Sequence, residues 1–128
     1  MKRVVFTLIV TVGVLAGCAT TPPSGVPADP NRELAEMVRL IWPEGSLPRG
    51  GNVTWQVGDA TNPTTGEPVG AWWAGYCLAT WCFHSVTVRP GYVTPYTVAH
   101  EGGHIVCYTT RLDNSESCAD EIASEILP

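Results

Sequence analysis

The sequence predicts a small α+β domain with an N-terminal helix, a three-stranded, mainly antiparallel sheet and two C-terminal helices. Three observations predict it. Apolar residues recur at helical spacing between 31 and 42, aromatic and β-branched runs fill 52–89, and two helical stretches follow residue 94. The chain has 128 residues, which allows one small domain, expected over residues 31–128.

Residues 1–17 predict a signal peptide that is not part of this domain. Lys2-Arg3 precedes an apolar run over 4–14 that is too short for a normal membrane span. The next four residues, Leu-Ala-Gly-Cys, resemble the lipobox of bacterial lipoproteins, whose cysteine is lipidated and becomes the first mature residue. The resemblance implies lipidation at Cys18. An ordinary secretory signal or a short membrane anchor is the alternative.

The expected location is the bacterial cell envelope. Ala19 is not the aspartate that commonly keeps lipoproteins at the inner membrane, so the resemblance favours the outer membrane in a host that has one. Residues 18–30 hold four prolines among small polar residues and predict a flexible tether behind the lipid anchor.

The charge of the mature chain excludes some partners. Removal of Lys2 and Arg3 takes the seven basic residues to five, against twelve acidic ones, for a formal charge of −7. This balance and the lack of a basic patch in the sequence argue against binding to nucleic acid or to an anionic lipid surface.

The first predicted helix spans Asn31 to Trp42. Its apolar residues recur at i, i+4 and i+7 from Leu34, either Asp29 or Asn31 can cap it, and Pro43 ends it. We expect this helix to pack on the core.

The predicted strands follow. Asn52–Val57 alternates, a long loop covers Gly58–Pro68, and runs over Val69–Leu78 and Cys82–Arg89 flank a hairpin turn. Most of the five tryptophans are expected in the core, whereas an exposed Trp72-Trp73 pair would favour a carbohydrate-binding surface.

Four cysteines remain after the signal peptide, and an even number in an exported chain predicts two disulfides. A four-cysteine zinc site is disfavoured because ten residues separate Cys107 from Cys118. Three connectivities are open, and a Cys77–Cys82 bridge across the hairpin turn is one possibility.

The pattern H-E-x-x-H lies in the next helix, for which Thr94 is a good N-cap and Pro95 suits the first position. Residues four apart share a helix face, so His100 and His104 can bind one metal ion while Glu101 reaches a water on it. A charged, solvated helix face is the alternative interpretation.

Two glycines fill the middle of this pattern. Gly102 and Gly103 each cost about 1 kcal/mol of helix stability relative to alanine. We therefore expect either a very close packing partner there or metal binding that restores the helix.

The last predicted helix opens near Asp113 and runs to about Leu127. Asp113 and Glu116 fit a capping pattern. Glu116 and Asp120 are spaced for one helical face, so Glu116 is the leading third metal ligand, with Asp120 or Glu121 as alternatives.

H-E-x-x-H followed by a helix with E-x-x-A-D resembles the gluzincin metallopeptidases, and the order of elements resembles the compact minigluzincins. The resemblance implies a zincin-like domain that binds Zn²⁺ through His100, His104 and Glu116. It also implies that Glu101 is the general base and that Asp120 accepts a hydrogen bond from a histidine ligand.

With these ligands, we predict a Cys107–Cys118 bridge, because Cys107 lies three residues after His104 and Cys118 two after Glu116. The bridge would hold the glutamate helix against the motif helix. The resemblance implies further features. The strand around 85–88 would be the sheet edge along which a peptide lies. Larger members stabilise the oxyanion with a residue from a lower subdomain that has no counterpart in this sequence. The local substitutes are Tyr92, Tyr96, Tyr108 and His84.

The sequence thus predicts a membrane-anchored zinc metallopeptidase, more an endopeptidase than an exopeptidase, that acts on peptides or proteins of the cell envelope. The alternative is a non-catalytic envelope lipoprotein, either a partner-binding module or a degenerate zincin with a structural zinc. Glu101 distinguishes the two, because a structural site does not need it.

Overall fold

The computed structural model describes residues 29–128. The signal peptide, Cys18 and the tether as far as residue 28 lie outside the described residues. The described part has three helices and a three-stranded mixed sheet, which confirms the expected α+β class. The elements are α1 (Pro30–Ile41), β1 (Gly51–Val57), β2 (Ala71–Leu78), β3 (Trp81–Val88), α2 (Pro95–Arg111) and α3 (Glu116–Ile126). None of the three helices has the length and apolar content needed to cross a bilayer.

The sheet has the strand order β1-β3-β2. β2 and β3 form the expected antiparallel hairpin, whose turn places Ala79 at a φ of 54°. β1 pairs with β3 in parallel, with Trp55 opposite Val86, so the mainly antiparallel arrangement holds for one of the two pairings. The parallel pairing is possible because residues 58–70 are long enough to carry the chain past β3 to its far side.

β3 is therefore the central strand, and the expectation that residues 85–88 form a sheet edge was wrong. Both sides of β3 are hydrogen-bonded, to β1 and to β2, which leaves no free backbone groups for a peptide. Among the described strands, the edges are β1 and β2.

One face of the sheet packs against the helices. β3 alternates, with Val86 and Val88 fully buried and their neighbours more exposed. Val98 and Ile105 of α2 and Leu34 of α1 complete this core. Asp29 rather than Asn31 caps α1, by accepting a hydrogen bond from the backbone N–H of Asn31.

The helix α2 begins and ends at local signals. Thr94 is its N-cap and accepts a hydrogen bond from the Thr97 backbone N–H at 3.2 Å, and Pro95 is the first helical residue, as expected. At the other end Leu112 adopts the left-handed conformation with φ 50°, and its N–H bonds back to the Tyr108 carbonyl at 3.0 Å. This sharp stop turns the chain towards α3 within four residues.

The capping of α3 differs from the expectation. Ser115 is the N-cap, and its hydroxyl accepts a hydrogen bond from the Cys118 N–H at 3.2 Å. Asp113 instead accepts from the Ser115 N–H at 2.8 Å and so shapes the turn before the helix. Glu116 is consequently the first residue of α3, where its side chain projects from the end of the helix towards α2.

Candidate metal centre

The two glycines of the motif allow close packing against two different neighbours of α2. A Cβ at Gly102 would overlap the indole of Trp42, whose Nε1–H donates to the Val98 carbonyl at 2.9 Å. A Cβ at Gly103 would lie 2.7 Å from the carbonyl oxygen of Ala119 in α3. The expected close packing partners are therefore present, and the contact at Gly103 lets α3 approach α2 closely.

Two imidazoles and one carboxylate converge where α2 faces the start of α3. The Nε2 atom of His100 lies 2.8 Å from Oε2 of Glu116, and Nε2 of His104 lies 3.3 Å from Oε1 of the same side chain. One ligand atom from each residue falls within 4.8 Å of the others. The histidines are largely buried, whereas the Glu116 side chain is 76% exposed.

The other nitrogen of His100 faces Asp120. Its Nδ1 lies 2.9 Å from Oδ1 of Asp120, within ion-pair distance but off the line of a good hydrogen bond. The Tyr96 hydroxyl donates to the same oxygen at 2.8 Å, and its ring stacks on His100. The hydrogen bond from Tyr96, with the nearby imidazole, lowers the pKa of Asp120. The four-residue spacing of Glu116 and Asp120 thus places one carboxylate at each nitrogen of His100.

His104 is held differently. Its ring stacks on the indole of Trp73 with 5.4 Å between centroids and 8° between planes. Its Nδ1 is buried and has no hydrogen-bond partner within residues 29–128. Burial is the largest influence on His104 and lowers its pKa.

Glu101 lies beside the convergent ligands. It is 7% exposed, and burial raises its pKa to about 7, with the charge of Glu116 acting in the same direction. It lines a cleft of about 170 Å³ together with His104 and Glu116. The remaining lining residues are Ala71, Trp72, Trp73 and Asn114. A buried glutamate with a pKa near neutrality is suited to accept and return a proton.

The structure contains the two disulfides Cys77–Cys82 and Cys107–Cys118, which confirms both pairings. The first bridges opposed positions beside the hairpin turn. The second joins α2, three residues after His104, to α3, two residues after Glu116. It therefore ties together the two helices that carry the convergent ligands.

Of the four residues considered for oxyanion stabilisation, none lines the cleft of the described domain. The Tyr96 hydroxyl is bonded to Asp120, and Tyr92 packs on Gly70. His84 receives a hydrogen bond from the Trp73 indole and contacts Thr109, and Tyr108 packs against the same indole. Asn114 is the neutral hydrogen-bond donor that does line the cleft.

The exposed Trp72-Trp73 pair that would favour a carbohydrate-binding surface is not present. Both residues are half-buried. Trp42 is buried, and Trp55 and Trp73 pack against the core.

Sequence reasoning missed Trp73 and Asn114. The alternation of β2 could have shown that Trp72 and Trp73 lie on different faces. It could not have shown which of them faces the motif helix. Asn114 could have been found from the short connection between α2 and α3, because every residue of that connection must lie near Glu116.

The donor set suits a transition metal such as zinc. Two imidazole nitrogens and a carboxylate oxygen are typical ligands of catalytic zinc, and the exposed side of Glu116 leaves room for a further ligand. His100, His104 and Glu116 could hold the ion. All four cysteines of the described residues are in disulfides and so are not available as ligands.

Comparison of the chain with protein-family models, with curated proteins and with solved structures found no match.

Proposed function

We propose that this domain is a zinc-dependent peptidase, more an endopeptidase than an exopeptidase. The observation that carries the proposal is the convergence of His100, His104 and Glu116 beside the buried Glu101 in an open cleft. The gluzincin-like sequence pattern, H-E-x-x-H with a glutamate on the next helix, supports the same function.

The proposed chemistry divides between the ion and the chain. A zinc ion bound by the three ligands would lower the pKa of a water and polarise the scissile carbonyl. Glu101 accepts the proton of the attacking water and delivers it to the leaving amine, a transfer to which a pKa of about 7 is well matched. Asp120 lies at Nδ1 of His100 and leaves Nε2, which faces Glu116, as the nitrogen that would bind the ion.

The substrate is proposed to lie along β2. This strand is at an edge of the described sheet, and its first residues, Ala71 to Trp73, line the cleft. An extended peptide can add to such an edge through backbone hydrogen bonds, which favours peptides without strong side-chain requirements. Asn114 lines the same cleft, and its amide is proposed to donate to a substrate carbonyl.

The test combines metal content with peptide cleavage. Elemental analysis of the purified domain should give about one zinc per chain, and cleavage of a quenched peptide library should require it. Glu101→Gln should retain zinc and lose cleavage by two orders of magnitude or more, on the order of a general-base effect. Glu121, the other carboxylate considered as a ligand, is exposed and lies outside the convergent group, so Glu121→Gln is the matched control and should change neither.

Two outcomes contradict the proposal in different ways. A domain that purifies without zinc and takes none up would end both the metal site and the peptidase. Zinc with no cleavage, and no effect of Glu101→Gln, would favour the non-catalytic lipoprotein with a structural ion.

Lipid anchoring in the cell envelope is proposed from the lipobox-like residues that end at Cys18. The full chain, expressed in a bacterium, should incorporate a labelled fatty acid and fractionate with membranes. Cys18→Ser should abolish both. Equal incorporation into the variant would show that Cys18 is not the lipidated residue, and no incorporation into the wild type would leave secretion without a lipid anchor.

A further inference from the structure

His104 differs from His100 in how its ring is held, although both are proposed to bind the same ion. Neither Nδ1 has an aligned hydrogen-bond partner among residues 29–128, but Nδ1 of His100 lies 2.9 Å from Oδ1 of Asp120, whereas Nδ1 of His104 has no carboxylate at ion-pair distance within that range. Histidine ligands of metals almost always donate their second N–H to a carboxylate, carbonyl or water, which fixes the tautomer and the ring orientation. Something else must orient His104.

The candidate is the indole of Trp73, which covers one face of the His104 ring. The two planes are nearly parallel, at 8°, with 5.4 Å between centroids. Stacking of this kind restricts rotation of the imidazole about χ2, the same freedom that a hydrogen bond at Nδ1 would remove.

Trp73 is itself held in place by His84. The indole Nε1–H donates to Nδ1 of His84 at 3.1 Å, and Nε2 of His84 lies 3.0 Å from the Thr109 hydroxyl. Because Nδ1 accepts, the neutral ring carries its proton on Nε2 and donates to Thr109. His84 is 6% exposed, with both nitrogens engaged, and is thus neither a metal ligand nor a free acid or base.

Gly75 makes this arrangement possible. It lies opposite His84 in the β2–β3 register. A Cβ there would come within 2.6 Å of the Trp73 ring and 2.9 Å of Nδ1 of His84. A glycine inside a strand often marks a close approach of this kind.

We propose that His84 and Trp73 are positioning residues that orient the metal ligand His104, with Gly75 providing the space for their contact. The inference rests on the proposed metal site, but it concerns a different set of residues. Neither Trp73 nor His84 touches the ion. Both act through the ring of His104.

The test uses metal affinity and the absorption spectrum of the Co²⁺-substituted domain, neither of which depends on catalysis. Trp73→Phe keeps an aromatic ring but loses the N–H donor, and Gly75→Ala removes no functional group. Each should weaken zinc binding by about 10-fold or more, in line with the loss of an outer partner of a metal ligand, and should change the intensity of the Co²⁺ d–d bands.

Four variants separate positioning from general packing. Trp55→Phe makes the same substitution elsewhere in the sheet, and Gly58→Ala adds a Cβ that meets only ordinary contact at 3.4 Å. Both should bind zinc like the wild type. His84→Asn keeps an acceptor near the position of Nδ1 and should retain most of the affinity that His84→Leu loses.

The outcomes distinguish the two proposals. Wild-type zinc affinity and an unchanged Co²⁺ spectrum in folded Trp73→Phe and Gly75→Ala would overturn the positioning role and leave the metal site standing. A wild-type domain that binds neither Zn²⁺ nor Co²⁺ would overturn both. Equal losses in His84→Asn and His84→Leu would show that the volume of His84 matters and that its accepting nitrogen does not.

Discussion

Glu101 is a buried ionisable residue, and burial of its charged carboxylate lowers the stability of the folded domain. In the metal-free protein its pKa lies at about 7, compared with an ordinary value of 4.5, mainly because burial disfavours the carboxylate. The folded state therefore keeps a proton that the unfolded chain releases between these two values. The stability of the metal-free domain should therefore fall as pH rises from about 4.5 to about 7. Above pH 7 the ionisation of Glu101 should cause no further change in stability.

Glu101→Gln should remove that dependence in the metal-free domain. The amide cannot ionise, so the variant should gain stability over the wild type, by up to about 3 kcal/mol above pH 7, and lose the advantage at about pH 4. Urea unfolding in the presence of a chelator, across this pH range, measures the difference. Parallel curves for the two proteins would contradict it, and Glu121→Gln should follow the wild type throughout.

The absence of a side chain at Gly102 lets α2 pack directly against the indole of Trp42. Alanine is the better helix former by about 1 kcal/mol, yet its Cβ would overlap the buried indole of Trp42. We expect Gly102→Ala to lower the free energy of unfolding by about 1–3 kcal/mol, as other overpacked cores do. Thermal or urea unfolding measures this.

A double-mutant cycle tests the cause of that loss. The atoms nearest the added Cβ are Nε1, Cε2 and Cζ2 of the Trp42 indole, and the smaller ring of Trp42→Phe reduces this overlap. In the Trp42→Phe background, Gly102→Ala should therefore cost less than in the wild type. An equal cost in both backgrounds would show that contact with Trp42 is not its source.

The pair of helices α2 and α3 is the structural unit of the site. Gly103 lets the α3 backbone approach to contact, and the Cys107–Cys118 bridge fixes that approach beside the ligands. The disulfide near the hairpin turn closes a shorter loop and joins no ligand-bearing elements. The two bridges should thus have different consequences when removed.

Replacing Cys107 and Cys118 by serine should lower the free energy of unfolding by about 3 kcal/mol, because the bridge joins two residues that are 11 positions apart in the sequence. It should also weaken zinc binding, because Glu116 is no longer held against α2. The matched Cys77/Cys82 double variant should lose somewhat less stability, because the bridge it lacks closes a shorter loop, and should keep its zinc affinity. Chemical unfolding and chelator competition measure the two quantities, and equal zinc affinities in both variants would contradict the role of the helix bridge.

Some of these elements follow from local sequence and others do not. Thr94, Pro95 and the four-residue spacing of Glu116 and Asp120 act within one helix, so their pattern is sufficient to place them. The hairpin likewise joins neighbouring segments. The parallel pairing of β1 with β3 depends on where residues 58–70 carry the chain, and no local pattern encodes that path.

Packing between elements was the other feature that could not be predicted from the sequence. The sequence indicated that Gly102 and Gly103 need close neighbours, but Trp42 is sixty residues away in the chain, and Ala119 lies on another helix. The stacking of Trp73 on His104 has the same origin. Which face of a strand meets which face of a helix is decided by the whole core rather than by either segment.

The proposed ligands come from two helices, α2 and α3. Within residues 29–128, one disulfide is the only covalent link between these helices apart from the chain itself. Without an ion, the carboxylate of Glu116 contacts the two imidazoles directly. An ion that all three bind would add a second crosslink between α2 and α3. Metal binding should accordingly stabilise the entire fold, because the metal-binding geometry is lost when the helices separate.

We therefore expect chelation to lower the melting temperature of the domain. At a free zinc concentration of about 100 times Kd, binding contributes about 2.7 kcal/mol, and in a domain of this size each kcal/mol corresponds to about 4–8 °C. A difference of about 10 °C or more between zinc-loaded and chelated protein should be seen by calorimetry. Glu116→Gln should melt near the chelated wild type with or without added zinc, whereas Glu121→Gln should respond like the wild type. If the Glu116 variant kept the full zinc-dependent shift, the ligand would have to be another carboxylate of α3, and Asp120 is the next to substitute because it already contacts His100.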